Sequence, residues 1–241
     1  MGFNEAQTKA ICHKNGPAMV LAGPGSGKTL VITRRVEYLI KKYGVRPEQI
    51  LVITFTKAAA KEMRERFAKI TKDDRFPVTF GTFHGIYYGI LKWAYRMNAS
   101  NIFSEEEKMM LLREVIAGME LEIEDEKEFL QGIASEIGQI KNNRLSLEEY
   151  ESSNCSDQMF RQIYEEYERR RKLLKKIDFD DMLVLCYELF QKRPDILQMW
   201  QKKFQYILID EFQDINQVQY DVIRMLALPE NNLFTVSYTH L

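Results

Sequence analysis

Cysteine is scarce. Cys12, Cys155 and Cys186 are odd in number and lack metal-ligand spacing, so neither a disulfide framework nor a structural zinc site is expected, and reduced thiols point to the cytoplasm. Long apolar runs are absent as well: none approaches the ~18 residues of a membrane-spanning helix. The opening Met-Gly-Phe-Asn-Glu-Ala-Gln has neither a basic n-region nor an apolar h-region, so no secretory signal is expected. No internal repeat or low-complexity linker interrupts the chain. Net charge is nearly nil, at −1, but the balance hides an asymmetry. Residues 1–96 hold 17 Lys and Arg against 7 Asp and Glu, and the remainder holds 17 against 28. A basic N-terminal portion is the footprint of a polyanion partner, or equally of solvated helix faces.

What remains is the composition of a globular protein, 45% hydrophobic and 29% charged over 241 residues, room for one domain or two at ~100–200 residues each. From Pro17 to about Phe83, short β-branched runs alternate with helical ones. "AMVLA" (18–22) reads as a buried strand, and 28–44 as a helix stopped by Gly44. "QILVITF" (49–55) is a second strand, 57–70 a second helix, and "PVTFGTF" (77–83) a third strand. Such alternation means βαβ units and a mostly parallel sheet. From about Asn98 to Lys176 helical signals replace it, with a capping box at Ser104 and Glu107 and a long charged helix over 156–176. Asp178 is placed to cap "FDDMLVLCYELF", and 193–204 follows as another helix. The βα rhythm resumes at "YILID" (206–210), continues through a helix around 216–228, and ends with "NLFTV" (232–236). The expectation is one α/β domain interrupted by a helical insertion.

The chemistry sits where strands end. Ala22-Gly23-Pro24-Gly25-Ser26-Gly27-Lys28-Thr29 follows a strand and opens a helix. Ala22 stands where the strict phosphate-loop pattern has glycine. Gly25 and Gly27 still let backbone N–H groups converge on a phosphate, and the helix adds the positive end of its dipole. Lys28 is expected to reach the β- and γ-phosphates and the Thr29 hydroxyl to bind Mg2+. The second half is "YILIDEFQD". Buried Ile207, Leu208 and Ile209 deliver Asp210 to the carboxyl edge of the sheet, where open α/β sheets bind ligands. There Asp210 is expected to meet Mg2+, with Glu211 orienting or deprotonating the attacking water. The pair points to an ATP or GTP hydrolase.

Together, "FNEAQ" (3–7), "AGPGSGKT" (22–29), "ILVITFTKAAAKEMRERF" (50–67), "GTFHG" (81–85), "DFDDML" (178–183) and "ILIDEFQDINQVQY" (207–220) resemble superfamily 1 DNA helicases of the UvrD/Rep/PcrA type. The resemblance covers nearly the whole chain. It implies a RecA-like P-loop NTPase domain with a parallel sheet, 1A, at 1–97 and 177–241, interrupted by an all-helical subdomain, 1B, at 98–176. It implies that Gln7 hydrogen-bonds adenine, favouring ATP over GTP, and that Gln213 lies near the γ-phosphate and couples nucleotide state to DNA. Thr54-Phe55-Thr56 and Thr82-Phe83-His84 would line a single-strand track, through hydroxyls, backbone amides and an aromatic platform worth ~1–3 kcal/mol per base. Phe55 reads equally as core, Phe83 reads rather as core, and His84 as a structural histidine. The basic run Arg169-Arg170-Arg171-Lys172 reads as a solvated helix face or a duplex DNA contact, and "DFDDML" as a capped helix buried on one side.

Two departures stand out. Leu30 replaces an arginine that often flanks adenine in this family, leaving base stacking to a neighbour such as Arg34. After "NNLFTV" the family continues into a Gly-Asp-x-x-Gln-Ser-Ile-Tyr segment and a second motor domain, where this chain reads "SYTHL". The implied function is the N-terminal, ATP-binding region of an ATP-dependent DNA helicase, 3′→5′, serving repair, replication or recombination. It would act on single-stranded and duplex DNA, in the cytoplasm, with no membrane partner. Lacking the second domain, these residues are expected to hydrolyse ATP feebly and unwind nothing, with "SYTHL" an artefact. The alternatives are the helicase subunit of a recombination nuclease and a non-motor ATP- or single-strand-binding module.

Overall fold

The computed structural model describes residues 2–23, 25–73, 75–119, 121 and 123–238. It is a mixed α/β protein with a five-stranded sheet and ten α-helices among the described residues. The strands are β1 (Ala18–Ala22), β2 (Ile50–Thr54), β3 (Thr79–Thr82), β4 (Tyr206–Ile209) and β5 (Leu233–Tyr238). Their order across the sheet is β1-β5-β4-β2-β3, and every pairing is parallel. Parallel strands need crossovers. Helix α1 (Glu5–Cys12) precedes β1, and α2 (Lys28–Tyr43) and α3 (Lys57–Thr71) connect the first three strands. Later come α9 (Pro194–Lys203), ahead of β4, and α10 (Gln217–Ala227), ahead of β5.

Local chemistry sets the ends of these elements. Gly44 closes α2 at φ 67°, the left-handed conformation in which a side chain is disfavoured, and its N–H reaches the Ile40 carbonyl. Thr56 caps α3 by accepting from the Ala59 N–H at 3.0 Å. Asn4 and Gln7 form a capping box on α1. Every residue of β2 is buried, as an interior strand of a sheet covered on both faces requires. β1 departs from its expected burial. It lies at the sheet edge, with Met19 and Leu21 56% and 62% exposed, because a strand with one neighbour has less of its faces covered. β3 ends at Thr82, and Phe83 opens helix α4 (Phe83–Tyr95) instead of ending a strand.

The chain divides into two compact units. The first, 2–86 with 189–215 and 220–238 among the described residues, contains the sheet; Val36, Leu39, Val52, Leu208 and Val236 lie in its core. Buried Arg35 donates to the carbonyls of Ala10, His13 and Lys14 and lies over the Phe234 ring, 4.3 Å from its centroid. It thereby satisfies the free carbonyl end of α1, the helix that carries Gln7. Burial pulls this guanidinium down to about 10.

The second unit, 87–188 with 216–219, is helical. Its named helices include α5 (Glu105–Ala117), α6 (Glu126–Asn143), α7 (Asp157–Leu173) and the greater part of α8 (Phe179–Lys192). Leu112, Val115, Ile133, Ile137, Phe160 and Ile163 fill its core. The Ser104–Glu107 capping box is present, with bonds of 3.1 and 2.8 Å. An isolated parallel bridge between Ile102 and Ile177 ties the two ends of the helical stretch together. The unit is wider than 98–176 at both ends.

"DFDDML" proves to be more than a cap. Asp178 and Asp181 accept each other's N–H, at 2.7 and 2.9 Å. Both also receive the buried Lys141 ammonium, at 3.0 and 2.9 Å, as does Glu168 at 2.8 Å. Arg171 closes the cluster on Glu168 and Asp181. Arg171, expected on a solvated or DNA-facing surface, is therefore buried; Arg169 and Arg170 pair with Glu166, and Lys172 stays exposed. Burial alone would push Lys141 down, but three carboxylates hold it above the usual lysine range. Removing one partner of a buried cluster strands the others, at about 3–5 kcal/mol. Lys141→Ala is expected to lower unfolding stability by about that amount in urea titration, and a loss below about 1 kcal/mol would show that the carboxylates find other partners.

Candidate nucleotide site

All strands being parallel, β1, β2, β3 and β4 present their carboxyl ends at one edge of the sheet, and every candidate site residue except Gln7 follows such an end or closes it. After β1 the chain turns with a Ser26 N–H to Gly23 carbonyl bond of 3.3 Å. Gly25 and Gly27 have φ of 70° and 82°, a backbone that an L side chain strains. Pro24 lies outside the described residues. Gly27 is the N-cap of α2, with no side-chain cap and no acidic residue in the first turn. The first N–H groups of α2 thus keep their capacity for an anion, beside the positive helix end. Gln7 reaches this loop from α1: its Nε2 donates to the Ser26 carbonyl at 3.0 Å. Gln7, Ala22, Gly23, Ser26 and Lys28 help line a cavity of about 240 Å³.

The two motifs meet through an ion pair. Lys28 Nζ donates to Glu211 Oε1 and Oε2 at 3.0 and 3.2 Å and sits 4.7 Å from the centroid of the Tyr238 ring. Burial pushes the Glu211 carboxyl up, but hydrogen bonds from Gln213 and Lys28 outweigh it and hold the group below its usual range. Glu211 occupies the left-handed region, φ 52° and ψ 48°, at a cost of roughly 1–2 kcal/mol for a residue with a Cβ. Gln213 locks this turn. It donates to Glu211 at 2.8 Å and Asp214 at 3.0 Å, and accepts from the Ser237 hydroxyl and the Tyr238 N–H at 3.0 and 2.8 Å.

Asp210 differs from its neighbours. Its N–H donates to the Ile53 carbonyl at 3.0 Å, extending the β4–β2 pairing by one bond. Its side chain is 8% exposed, and Oδ1 is buried with no hydrogen-bond partner among the described residues. Burial, and next the adjacent Glu211, raise this carboxyl above the usual range, against a weaker pull from Lys28. Thr29, half-buried, stands in the first turn of α2. Arg34 is engaged by Glu37 at 2.8 Å, so a base-stacking role has a competitor.

The candidate track segments are neighbours: Thr54 and Thr82 are register partners at the ends of β2 and β3. Their hydroxyls are occupied. Thr54, 1% exposed, donates to the Thr56 carbonyl at 3.0 Å, and Thr82 accepts from the Gly85 N–H at 3.2 Å. Phe83 is 2% exposed and Phe55 37%, their rings meeting edge-on with centroids 5.4 Å apart. Burial removes Phe83 as a platform and makes it the support beneath Phe55. His84 is half-buried. The sequence reading missed Arg35, although Val31, Arg35 and Leu39 recur at four-residue spacing on the buried face of α2. Nothing in the spacing foretold the Lys28–Glu211 pair.

No helix among the described residues is long and apolar enough to cross a membrane. YjcD of Bacillus subtilis (strain 168) is 42% identical over 243 residues, covering 98% of this chain and 32% of that protein. The ATP-dependent DNA helicase PcrA of Leuconostoc citreum is 32% identical over 98% of this chain and 32% of its own length. The protein of that name from Staphylococcus aureus (strain Mu50 / ATCC 700699) is 34% identical over 97% and 33%. The chain thus spans about a third of the length of these curated relatives. A family model described as the UvrD/REP helicase N-terminal domain matches residues 3–237, and the chain belongs to the UvrD/REP helicase family.

Proposed function

We propose that this chain is the ATP-binding part of an ATP-dependent DNA helicase that translocates 3′→5′ in repair, replication or recombination in the cytoplasm. The observation that carries the reading is one juxtaposition. An uncapped helix start with Lys28 and a buried, unpartnered carboxylate oxygen on Asp210 belong to one edge of a parallel sheet. A triphosphate answers the first and a hard cation the second. The sheet with β5 between β1 and β4 supports the RecA-like P-loop reading and domain 1A at 1–97 and 177–241. The helical unit supports 1B at 98–176 as an insertion.

Each residue then has a role. Backbone N–H groups of Gly23, Gly25, Ser26 and Gly27 cradle phosphate, and Lys28 exchanges Glu211 for the β- and γ-phosphates. Thr29 and Asp210 would hold Mg2+, which would supply positive charge against the phosphates. Glu211, freed from Lys28, accepts a proton from or orients the attacking water. Gln213 reports the γ-phosphate, and Gln7 turns its amide from Ser26 to adenine, with Arg34 beside the base. Phe55 stacks on a base of single-stranded DNA, while Thr56, Thr82 and His84 face its phosphates; Thr54 and Phe83 hold that surface from below.

Calorimetric titration with Mg2+–ATP tests the core of this reading. Lys28→Ala is expected to weaken binding at least about tenfold, and equal affinity would overturn the assignment. Asp210→Asn should abolish the Mg2+-dependent part of nucleotide affinity. Without ligand it should raise thermal stability by roughly 0.5–2 kcal/mol, because a carboxylate whose Oδ1 is buried without a partner among the described residues becomes a neutral amide. A lower melting temperature for the variant would contradict this.

The pH dependence follows. Asp210 is raised in the folded chain, so ionising it opposes folding: unliganded stability falls as pH rises from the ordinary carboxylate range through the raised value. Mg2+-dependent affinity runs the opposite way, declining as pH falls, before ordinary surface carboxylates titrate. Affinity flat across that interval would place Asp210 outside the metal site. For DNA, Phe55→Ala should weaken fluorescence-detected oligothymidylate binding several-fold with little change in melting, whereas Phe83→Ala should cost about 3–5 kcal/mol of stability. The reverse pattern would exchange the two roles.

A further inference from the structure

Arg35 differs from the other buried cations among the described residues. Lys108, Lys141 and Arg171 lie against carboxylates, whereas Arg35, 2% exposed, has no carboxylate partner. A buried charge without a counter-ion is costly, and an apolar side chain of similar volume is often as good or better for stability. Core filling therefore does not account for an arginine here. Its surroundings do. Beyond the Phe234 ring, its partners are the carbonyls of Ala10, His13 and Lys14, in the last turn of α1 or just past it. That is the negative end of the helix dipole.

Other residues grip the same end of α1. The Tyr43 hydroxyl donates to the Cys12 carbonyl at 2.7 Å. The Tyr206 hydroxyl donates to Asn15 Oδ1 at 2.9 Å, and the Gly16 N–H to Asn232 Oδ1 at 2.8 Å. All of these residues belong to the unit that contains the sheet. Helix α1 has eight residues, too few to hold a direction by itself. Ala10 lies three residues beyond Gln7, on the same face of the helix. Gln7 is held in turn by the Asn4 N–H and the Ser26 carbonyl. The clamp thus closes one turn away from the side chain that would read the base.

We propose that Arg35, supported by Tyr43, is a positioning residue for base selection: it fixes α1 so that the Gln7 amide meets the base of a bound nucleotide in one register. The inference rests on the reading of Gln7 as the adenine contact. An amide tells adenine from guanine by matching one donor and one acceptor together, the adenine N6 amine and N7; guanine offers two acceptors on that edge. Such a paired contact tolerates little displacement, since each bond needs its own distance and angle. Without the clamp α1 shifts or tilts, and the pairing fails although the helix remains. The phosphate contacts of the loop and Lys28 stand on β1 and α2 and do not pass through α1. Selectivity is therefore expected to fall while triphosphate affinity stays.

Calorimetric titration of the full chain with Mg2+–ATP, Mg2+–GTP and Mg2+–tripolyphosphate, with the melting temperature of each variant recorded, tests this. Arg35→Met, which replaces the buried charge by an apolar chain, and Tyr43→Phe, which loses only the hydroxyl, should each lower the ATP-over-GTP affinity ratio about threefold or more. Tripolyphosphate affinity should stay within about twofold of the wild type. Arg35→Lys, which keeps a charge at the end of α1, should recover part of the ratio. If Arg35→Met does not fold, Tyr43→Phe decides alone. An unchanged ratio in the folded variants, or ATP, GTP and tripolyphosphate weakened alike, would overturn the positioning role while leaving the nucleotide site standing. A wild type that binds ATP and GTP equally would remove Gln7 from the base, and this inference with it.

Discussion

One ion pair, Lys28 with Glu211, joins the two ends of the candidate site across 183 positions of sequence. Neither residue reaches the other by local structure. Lys28 is delivered by the start of a helix after β1, and Glu211 by the end of β4, one strand removed across the sheet. The five parallel strands fix that separation, and the fully buried β2 keeps β4 in register through its pairing from Ile50 to Ile53. In this pair the Lys28 ammonium has a negative partner of the kind that a phosphate would provide.

The two units treat buried charge in opposite ways. In the helical unit Lys141 and Arg171 are saturated by carboxylates, and Asp178 and Asp181 satisfy each other's backbone as well. At the sheet edge, Asp210 is buried with an oxygen unpartnered among the described residues, Glu211 holds a left-handed backbone, and α2 starts without a side-chain cap. Departures of this kind persist where the surrounding structure over-determines them, and they cluster at functional sites. The saturated cluster has the marks of a structural role, and the sheet edge those of a candidate site.

Much of this was legible in the residues. The alternation of β-branched and helical runs announced the parallel sheet, Gly44 and the Ser104–Glu107 pair marked helix ends, and the loop and "YILID" located the strand ends of the candidate site. Those signals are local, and local energetics act alike in a sequence and in a fold. Strand order is not local, so the edge position of β1 and its bare Met19 and Leu21 escaped notice. The same limit hid the burial of Thr54 and left Phe83 open between core and platform, because a residue ending an apolar run can face either way. It hid the character of Arg171 too: one member of a four-residue basic run is core because Asp181, on the next helix, joins Glu168 of its own helix as a partner.

The order of the strands also has a consequence for how the chain is made. Among the described residues β5 follows the other four strands in sequence, yet it lies between β1 and β4. On a ribosome the Gly23–Lys28 loop and the Asp210 edge are both synthesised before the strand that spaces them exists. Until Leu233–Tyr238 emerges, β1 has no neighbour and the sheet can assemble only from β4, β2 and β3. Pairing β1 with β5 gives a high contact order, which slows folding and lengthens the time that unpaired apolar edges stay open to other chains.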